Sequence, residues 1–152
     1  MSEVHGEAEL AALEVAIDSW LAQAQADNPV LAAVDRDAEV PMRWYARLQG
    51  EEKDFTTVWL TLGQRTLRYE TYVMPAPEEN HERFYEHLLR RNDSLVGAHF
   101  SIGAEDAVFL RGELPVAVLD AAELDRVLGT LYATVERCFR PALGIGFESR
   151  LR

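Results

Sequence analysis

Between Met42 and Met74 the sequence alternates apolar and polar residues with a period of two, in three runs at about 42–49, 55–63 and 66–74. That period fits a pleated strand and not a helix. The runs are separated by Gly50-Glu51-Glu52-Lys53-Asp54 and by the tight Gly63-Gln64-Arg65. Connections this short join antiparallel neighbours, because a parallel pair needs a crossover of roughly a dozen residues or more. Pro75-Ala76-Pro77 closes the third run. The middle of the chain is therefore an antiparallel meander, and the remaining segments have to cover it.

They supply helices to do so. From about Glu7 to Gln25, Leu10, Leu13, Ile17, Trp20, Leu21 and Ala24 recur at helical spacing with Glu7, Glu9, Glu14 and Asp18 between them. Asp27-Asn28-Pro29 ends that helix, because the residue before a proline is pushed out of helical geometry. Val30, Leu31 and Val34 fit either a short helix or a short strand, so residues 30–40 read as a connection. Glu78 to Asn92 predicts a second helix burying Phe84, Tyr85, Leu88 and Leu89, with acids in its first turn and Arg90-Arg91 in its last, as the macrodipole favours. Two strands follow, at about 95–102 and 106–114, joined through Gly103-Ala104-Glu105 and closed by Pro115. Asp120 with Glu123 resembles a capping box and opens a last helix to about Phe139, which Pro141 ends. Its apolar face is Leu124, Val127, Leu128, Leu131, Val135 and Phe139. The expected fold is α+β, an antiparallel sheet in the order α-βββ-α-ββ-α with helices packed on one face. A chain of 152 residues buries roughly 70% of its unfolded surface, enough for one core, so residues 1–152 read as a single domain with flexible ends at about 1–6 and 148–152.

Charge excludes two classes of partner. The net charge is −11, and nucleic acid and anionic lipid both draw affinity from an excess of Lys and Arg. The imbalance is local: residues 1–40 hold nine acids and one base, and residues 41–152 hold seventeen acids and fourteen bases. No apolar stretch approaches the roughly 20 residues of a membrane span, and the first residues lack the basic start and apolar run of a signal peptide. Cys138 is the only cysteine, so no internal disulfide forms and no cysteine zinc site exists. The expected setting is cytoplasmic and reducing, with no membrane and no nucleic acid involved.

Several strings carry a family resemblance. Thr57-Val58-Trp59-Leu60-Thr61-Leu62, Met74-Pro75-Ala76-Pro77-Glu78-Glu79-Asn80, Leu88-Leu89-Arg90-Arg91-Asn92, Leu110-Arg111-Gly112-Glu113-Leu114-Pro115 and Ala142-Leu143-Gly144-Ile145-Gly146-Phe147 resemble the actinobacterial branch of the YbjN family. The fold of that family is similar to type III secretion chaperones of the Tir-chaperone kind. The resemblance covers roughly residues 40–150 and implies a chaperone-like or regulatory role, without catalytic residues to carry over.

Candidate chemical sites compare poorly with structural readings of the same residues. His81 and His87 lie six apart, about 240° around a helix, and do not share one ion. Glu82 and Glu86 read as a solvated acidic helix face. Cys138 falls near an apolar helix face, where a thiol is inert. His99 has no evident serine or carboxylate partner, and Gly144-Ile145-Gly146 lacks phosphate-loop spacing and reads as a turn. No cofactor and no metal are expected.

Splitting each strand by alternation gives a sharper candidate. One face is core: Met42, Trp44, Ala46, Leu48; Val58, Leu60, Leu62; Leu67, Tyr69, Val73; Ala98, Phe100, Ile102; Val108, Leu110, Leu114. The other carries Arg43, Tyr45, Arg47, Trp59, Arg68, Glu70, Tyr72, His99, Phe109, Arg111 and Glu113. Trp, Tyr and Arg dominate protein contact surfaces, so Arg43, Tyr45, Arg47, Trp59, Arg68, Tyr72, Phe109 and Arg111 form the candidate protein-binding set. The same residues serve equally as a cross-strand layer shielding an ordinary sheet face. The leading expectation is a non-catalytic chaperone-like module or regulatory adaptor that forms a homodimer and takes a protein or peptide on this face. A second is that the acidic first forty residues lie across Arg43, Arg47, Arg68 and Arg111, and the alternative class is an enzyme with a dispersed site involving His99 or Glu82 and Glu86.

Overall fold

The computed structural model describes residues 4–151. Three helices, α1 (Glu7–Asp27), α2 (His81–Asn92) and α3 (Ala121–Gly146), accompany six strands. The strands are β1 (Leu31–Arg36), β2 (Arg43–Gln49), β3 (Phe55–Leu62), β4 (Thr66–Met74), β5 (His99–Ile102) and β6 (Val108–Pro115). All pairings are antiparallel, in the sheet order β1-β2-β3-β4-β6-β5. The α+β class and the antiparallel sheet are as expected.

Three details correct the sequence reading. Residues 31–36 are not a connection but an edge strand, paired from Leu31↔Leu48 to Arg36↔Trp44 with a register shift between Leu31 and Ala33. Its weak alternation hides it, because Leu31 is its one buried residue. Second, α3 does not end at Pro141 but continues to Gly146 with the proline inside it. A proline there removes one intrahelical donor. Burial of Ala142, Gly146 and the following Phe147 outweighs that loss. Third, β5 begins at His99, not near residue 95, and two residues expected to be buried are not, Ile102 at its end being 55% and Leu89 of α2 68% exposed.

The helices pack on the face expected to be core. Trp44, Leu60 and Tyr69 face one another across β2, β3 and β4, and Ala46, Val58, Thr71, Leu110 and Phe100 form the next row. All are buried and join Ile17 and Leu21 of α1, Phe84 and Leu88 of α2, and Leu124, Leu131 and Val135 of α3 in one core. Among these, Thr71 satisfies its hydroxyl by donating to Thr57 O at 2.7 Å. Asp120 caps α3 as expected, its carboxylate accepting from Glu123 N at 2.8 Å.

Two polar latches fix the helices to the sheet. On α1, Asp18 accepts from Trp44 Nε1 at 2.7 Å, and Arg36, stacked 4.6 Å over the Trp44 ring, pairs with Glu14 at 2.6 Å. On α3, the Glu136 carboxylate accepts from the backbone N–H groups of Glu51, Glu52 and Lys53, so the β2–β3 loop is held by one side chain. Near the ends of the described chain, His5 N donates to Gln64 O at 2.8 Å, and the 3₁₀ turn Glu148–Leu151 sets Ser149 Oγ on Glu79 Oε2 at 2.8 Å. The expectation for residues 1–3 and 152 lies outside the described residues.

The last turn of α3 meets the segment after β4. Asn80, in left-handed conformation at φ 54, donates from Nδ2 to Ile145 O at 2.8 Å, and Glu78 N donates to Gly146 O at 2.9 Å. A Cβ on Gly146 would stand 2.8 Å from the Phe84 ring and 2.9 Å from Pro77. Two predictions follow from these contacts. Gly146→Ala overpacks this junction and lowers stability by about 1–3 kcal/mol, a Tm drop of several degrees at this size; an unchanged melting curve would show that the junction yields. For Glu136, burial alone raises the pKa, but the three backbone donors and Tyr132 outweigh it and hold the carboxyl below its usual 4.5. Its stabilisation is then fully present above about pH 4.5 and lost as pH falls through the lowered folded value. Glu136→Gln should melt about 2–4 °C lower than the native chain at pH 7, with the gap closing toward pH 3. A gap that stays constant over that range would refute the charged latch.

Candidate functional site

The face opposite the helices is open, and the register brings the eight candidate residues onto it together. Arg43, Thr61, Arg68 and Glu113 form one row across β2, β3, β4 and β6. Asp35, Tyr45, Trp59, Glu70, Arg111 and His99 form the next, crossing all six strands. In the third, Arg47 faces Thr57, and Tyr72 faces Phe109, which faces Ser101. Trp59 stands in the centre with Tyr45 and Glu70 as its direct cross-strand neighbours.

Seven of the eight reach the surface. Trp59 is 36% and Tyr72 43% exposed, Arg47 and Arg68 are exposed, and Arg43, Tyr45 and Arg111 are half-buried. Phe109 is the exception, at 8%. It is sealed by the edge of Tyr72, with centroids 5.7 Å apart, by the Arg111 guanidinium 4.4 Å over its ring, and by Gly103, where any Cβ would stand 2.4 Å from the ring. Phe109 is therefore a floor for the face and not a contact point.

Much of the polar chemistry on this face is engaged internally. The Tyr45 hydroxyl donates to Asp37, whose carboxylate also accepts from Glu39 N and Val40 N and lies 4.0 Å from Arg43. The Tyr45 hydroxyl and those two amides hold the Asp37 carboxyl below the usual range, and the same bond raises the Tyr45 phenol. Arg43 donates from Nε to Thr61 Oγ1 at 3.0 Å and lies 5.8 Å over Trp59, while Tyr45 meets the Trp59 ring edge-on at 5.9 Å. Arg111 pairs with Glu70 at 2.7 Å and donates to Ser101 Oγ at 3.3 Å. Arg47 stacks 3.7 Å over Phe55.

Four contributors escape the sequence reading. Phe55 was legible, since 55, 57, 59 and 61 alternate onto one face of β3. Ser101 likewise shares the parity of His99. Asp37 was not, because it reaches the face from the loop after a strand whose pattern is weak. Lys53, the chain's only lysine, comes from the β2–β3 loop; its Nζ donates to Tyr72 O at 2.8 Å and lies 5.5 Å from the Tyr72 ring, and burial lowers its pKa.

The acidic first forty residues do not cross this face as one segment. Glu14 and Asp18 of α1 pair with Arg36 on the helix side, and among the described acids of residues 1–40 only Asp37 meets one of the expected arginines, Arg43. The chemical candidates are dispersed. Glu82 and His81 are exposed on α2, and Glu86 pairs with Arg90 at 3.7 Å. His87 is half-buried with Nε2 unpartnered, and burial followed by the Arg91 charge lowers its pKa. Cys138 is 2% exposed and burial raises its thiol pKa. His99 is exposed opposite Arg111, and Gly144-Ile145-Gly146 is the end of α3 and not a turn. Among the described residues no group of three or more His, Cys, Asp or Glu side chains is placed to hold a metal, and no helix is long and apolar enough to cross a membrane.

A side-chain amide reaches each edge strand of the sheet. On β5, Asn92 accepts from Phe100 N at 2.7 Å and donates to Phe100 O at 3.1 Å, taking both backbone groups of that residue. On β1, Gln25 donates to Ala32 O at 3.2 Å. These contacts engage one residue of each edge strand.

Comparison with known proteins agrees with this architecture. An uncharacterized protein of Mycobacterium tuberculosis is 33% identical over 117 residues, which is 77% of this chain and 64% of that protein. One of Mycobacterium leprae is 33% identical over 111 residues, 73% of this chain and 60% of its own length. The chain thus spans less than two thirds of these relatives. In structure, a chain of the heterodimeric complex ExoU-SpcU from the type III secretion system of Pseudomonas aeruginosa superposes with TM-score 0.54 at 18% identity, covering 82% of this chain and 98% of that one. This likeness is one of fold. Residues 15–143 match the YbjN family, described as "Putative bacterial sensory transduction regulator". The chain belongs to the YbjN family.

Proposed function

We propose that this chain is a non-catalytic protein-binding module, a chaperone-like or regulatory adaptor working in a reducing cytoplasm, and that it holds a segment of another protein on its open sheet face. The observation that carries the reading is the state of Trp59 and Tyr72. Both aromatics are more than a third exposed, and both are held in place, Trp59 by Tyr45 and Arg43 and Tyr72 by Phe109 and Lys53. Aromatic rings immobilised before binding give contact area with little further loss of side-chain entropy. The family's description as a regulator and the heterodimeric assembly of the structural neighbour are in keeping with a protein partner.

The proposal includes self-association. The apolar surface available for it is the groove between α2 and β5, where Leu89 is 68% and Ile102 55% exposed beside Tyr85, Leu88 and Phe100.

Two measurements test these statements. Trp59→Ala with Tyr72→Ala should leave the fold intact and weaken capture of a protein partner at least tenfold, since such truncations at contact centres remove about 2 kcal/mol or more; recovery of the same partner at unchanged affinity would overturn the face assignment. Light scattering across micromolar concentrations should give a dimer mass, reduced to the monomer by Leu89→Asp, and a monomer at every concentration would remove self-association.

A further inference from the structure

We propose that the segment held on the open face is acidic and extended, with an apolar residue between two carboxylates at alternate positions, in the pattern acid-x-apolar-x-acid. This rests on the reading of that face as the binding surface and specifies its ligand. The apolar side chain sits on Trp59, and the two carboxylates meet Arg47 and Arg68.

The arginines on this face are not equivalent. Arg43 is bonded to Thr61 and lies by Asp37, and Arg111 is paired with Glu70. Arg47 and Arg68 are exposed, and neither forms an ion pair among the described residues. Glu113, directly opposite Arg68, is instead the acceptor for Thr66 Oγ1 at 3.3 Å. These two guanidiniums are thus the arginines of the face without a carboxylate partner among the described residues, Arg47 lying 3.7 Å over the Phe55 ring, and the planar fork of Arg matches a carboxylate in two-pronged fashion.

Their placement sets a spacing. Arg47 lies level with Thr57 on one side of β3, and Arg68 level with Thr61 on the other. Trp59 falls midway, two residues from each level. Two strand spacings across and four residues along put the two arginine Cα atoms about 16 Å apart on a diagonal through Trp59. An extended chain covers about 13 Å between positions i and i+4, and the side chains supply the rest. Positions i, i+2 and i+4 of such a chain point to the same side, so all three side chains meet the sheet together.

A single-stranded nucleic acid would also use arginine and aromatic side chains. Here Asp35 and Glu70 stand in the same row as Trp59 and Glu113 in the next, and the chain carries −11 in total. Acids interleaved with the arginines repel a continuous run of phosphates and tolerate two discrete carboxylates, which favours the protein segment.

The test is fluorescence anisotropy of a dye-labelled, end-capped peptide Ser-Glu-Thr-Leu-Thr-Glu-Ser titrated with the full chain. Controls are the same peptide with both Glu replaced by Lys, an isomer with the two Glu adjacent, and a twelve-nucleotide oligothymidine. The patterned peptide should bind at least about tenfold tighter than each control, with Arg47→Ala and Arg68→Ala each weakening it about three- to tenfold and added salt doing the same. Trp59→Ala should abolish it, while Arg47→Lys retains part of the affinity. Equal binding of the Lys or isomeric peptide, arginine variants without effect, tighter binding of the oligothymidine, or no binding of any peptide at millimolar concentration would each overturn the inference. If the control peptides bind as well and Trp59→Ala still abolishes them, only the acidic pattern fails and the face survives. Peptide binding indifferent to Trp59→Ala sinks both.

Discussion

The register of β2, β3 and β4 is the constraint on which the other features of this protein depend. Each residue of these strands belongs to one of two faces, and a slip of one position would move Trp44, Leu60 and Tyr69 to solvent and Arg43, Thr61 and Arg68 into the core. Burying three charged or polar side chains without partners is far more unfavourable than any turn strain, so the hydrophobic row fixes the pairing. The polar row then has no freedom of its own. Its arginines and aromatics come together because their neighbours in sequence are held beneath the helices.

Of the strings that carry the family likeness, those with Trp59 and with Arg111 and Glu113 supply the face, whereas others set the packing of the fold. Met74-Pro75-Ala76-Pro77-Glu78-Glu79-Asn80 and Ala142-Leu143-Gly144-Ile145-Gly146-Phe147 are distant in sequence, and they meet where Asn80 donates to Ile145 O and Pro77 and the Phe84 ring close over Gly146. Gly112, in a third string, lies where a Cβ would stand 2.2 Å from Gly97 O. These are packing requirements with little tolerance, and they mark the fold. Family likeness in such residues therefore carries architecture with it and says little about the ligand.

What the sequence made legible follows from how strongly each segment is patterned. Strong alternation in β2–β4 disclosed both the sheet and the composition of its open face, and helical periodicity disclosed α1 and the body of α3. The misses are segments where tertiary contacts decide against the local signal. β1 buries one residue and is held by pairing with β2 and by α1 through Arg36. The end of α3 runs past Pro141 because Ala142, Gly146 and Phe147 fill the space over α2. Phe109 has the right parity for the open face, yet its burial depends on Tyr72, Arg111 and a glycine six residues earlier, which alternation does not see. Asp37 escaped for the converse reason, since a loop carboxylate has no period.

An open sheet face could exist only to be solvated, and its composition argues for more than that. A solvated face needs charge and no immobilised aromatics. Here Tyr45 is tied to Asp37, Arg43 to Thr61 and Arg111 to both Glu70 and Ser101, so side chains that would otherwise sample many rotamers are already restrained. That ordering is unfavourable in the free protein, because exposed ion pairs return little of the entropy they fix. It is favourable on association, when the same restraint has already been met. Trp59 lies in the middle of the restrained network, with Arg47 and Arg68 the two arginines that form no ion pair among the described residues, and a fixed aromatic beside two unmatched guanidiniums argues for recognition over a sheet face that is merely wet.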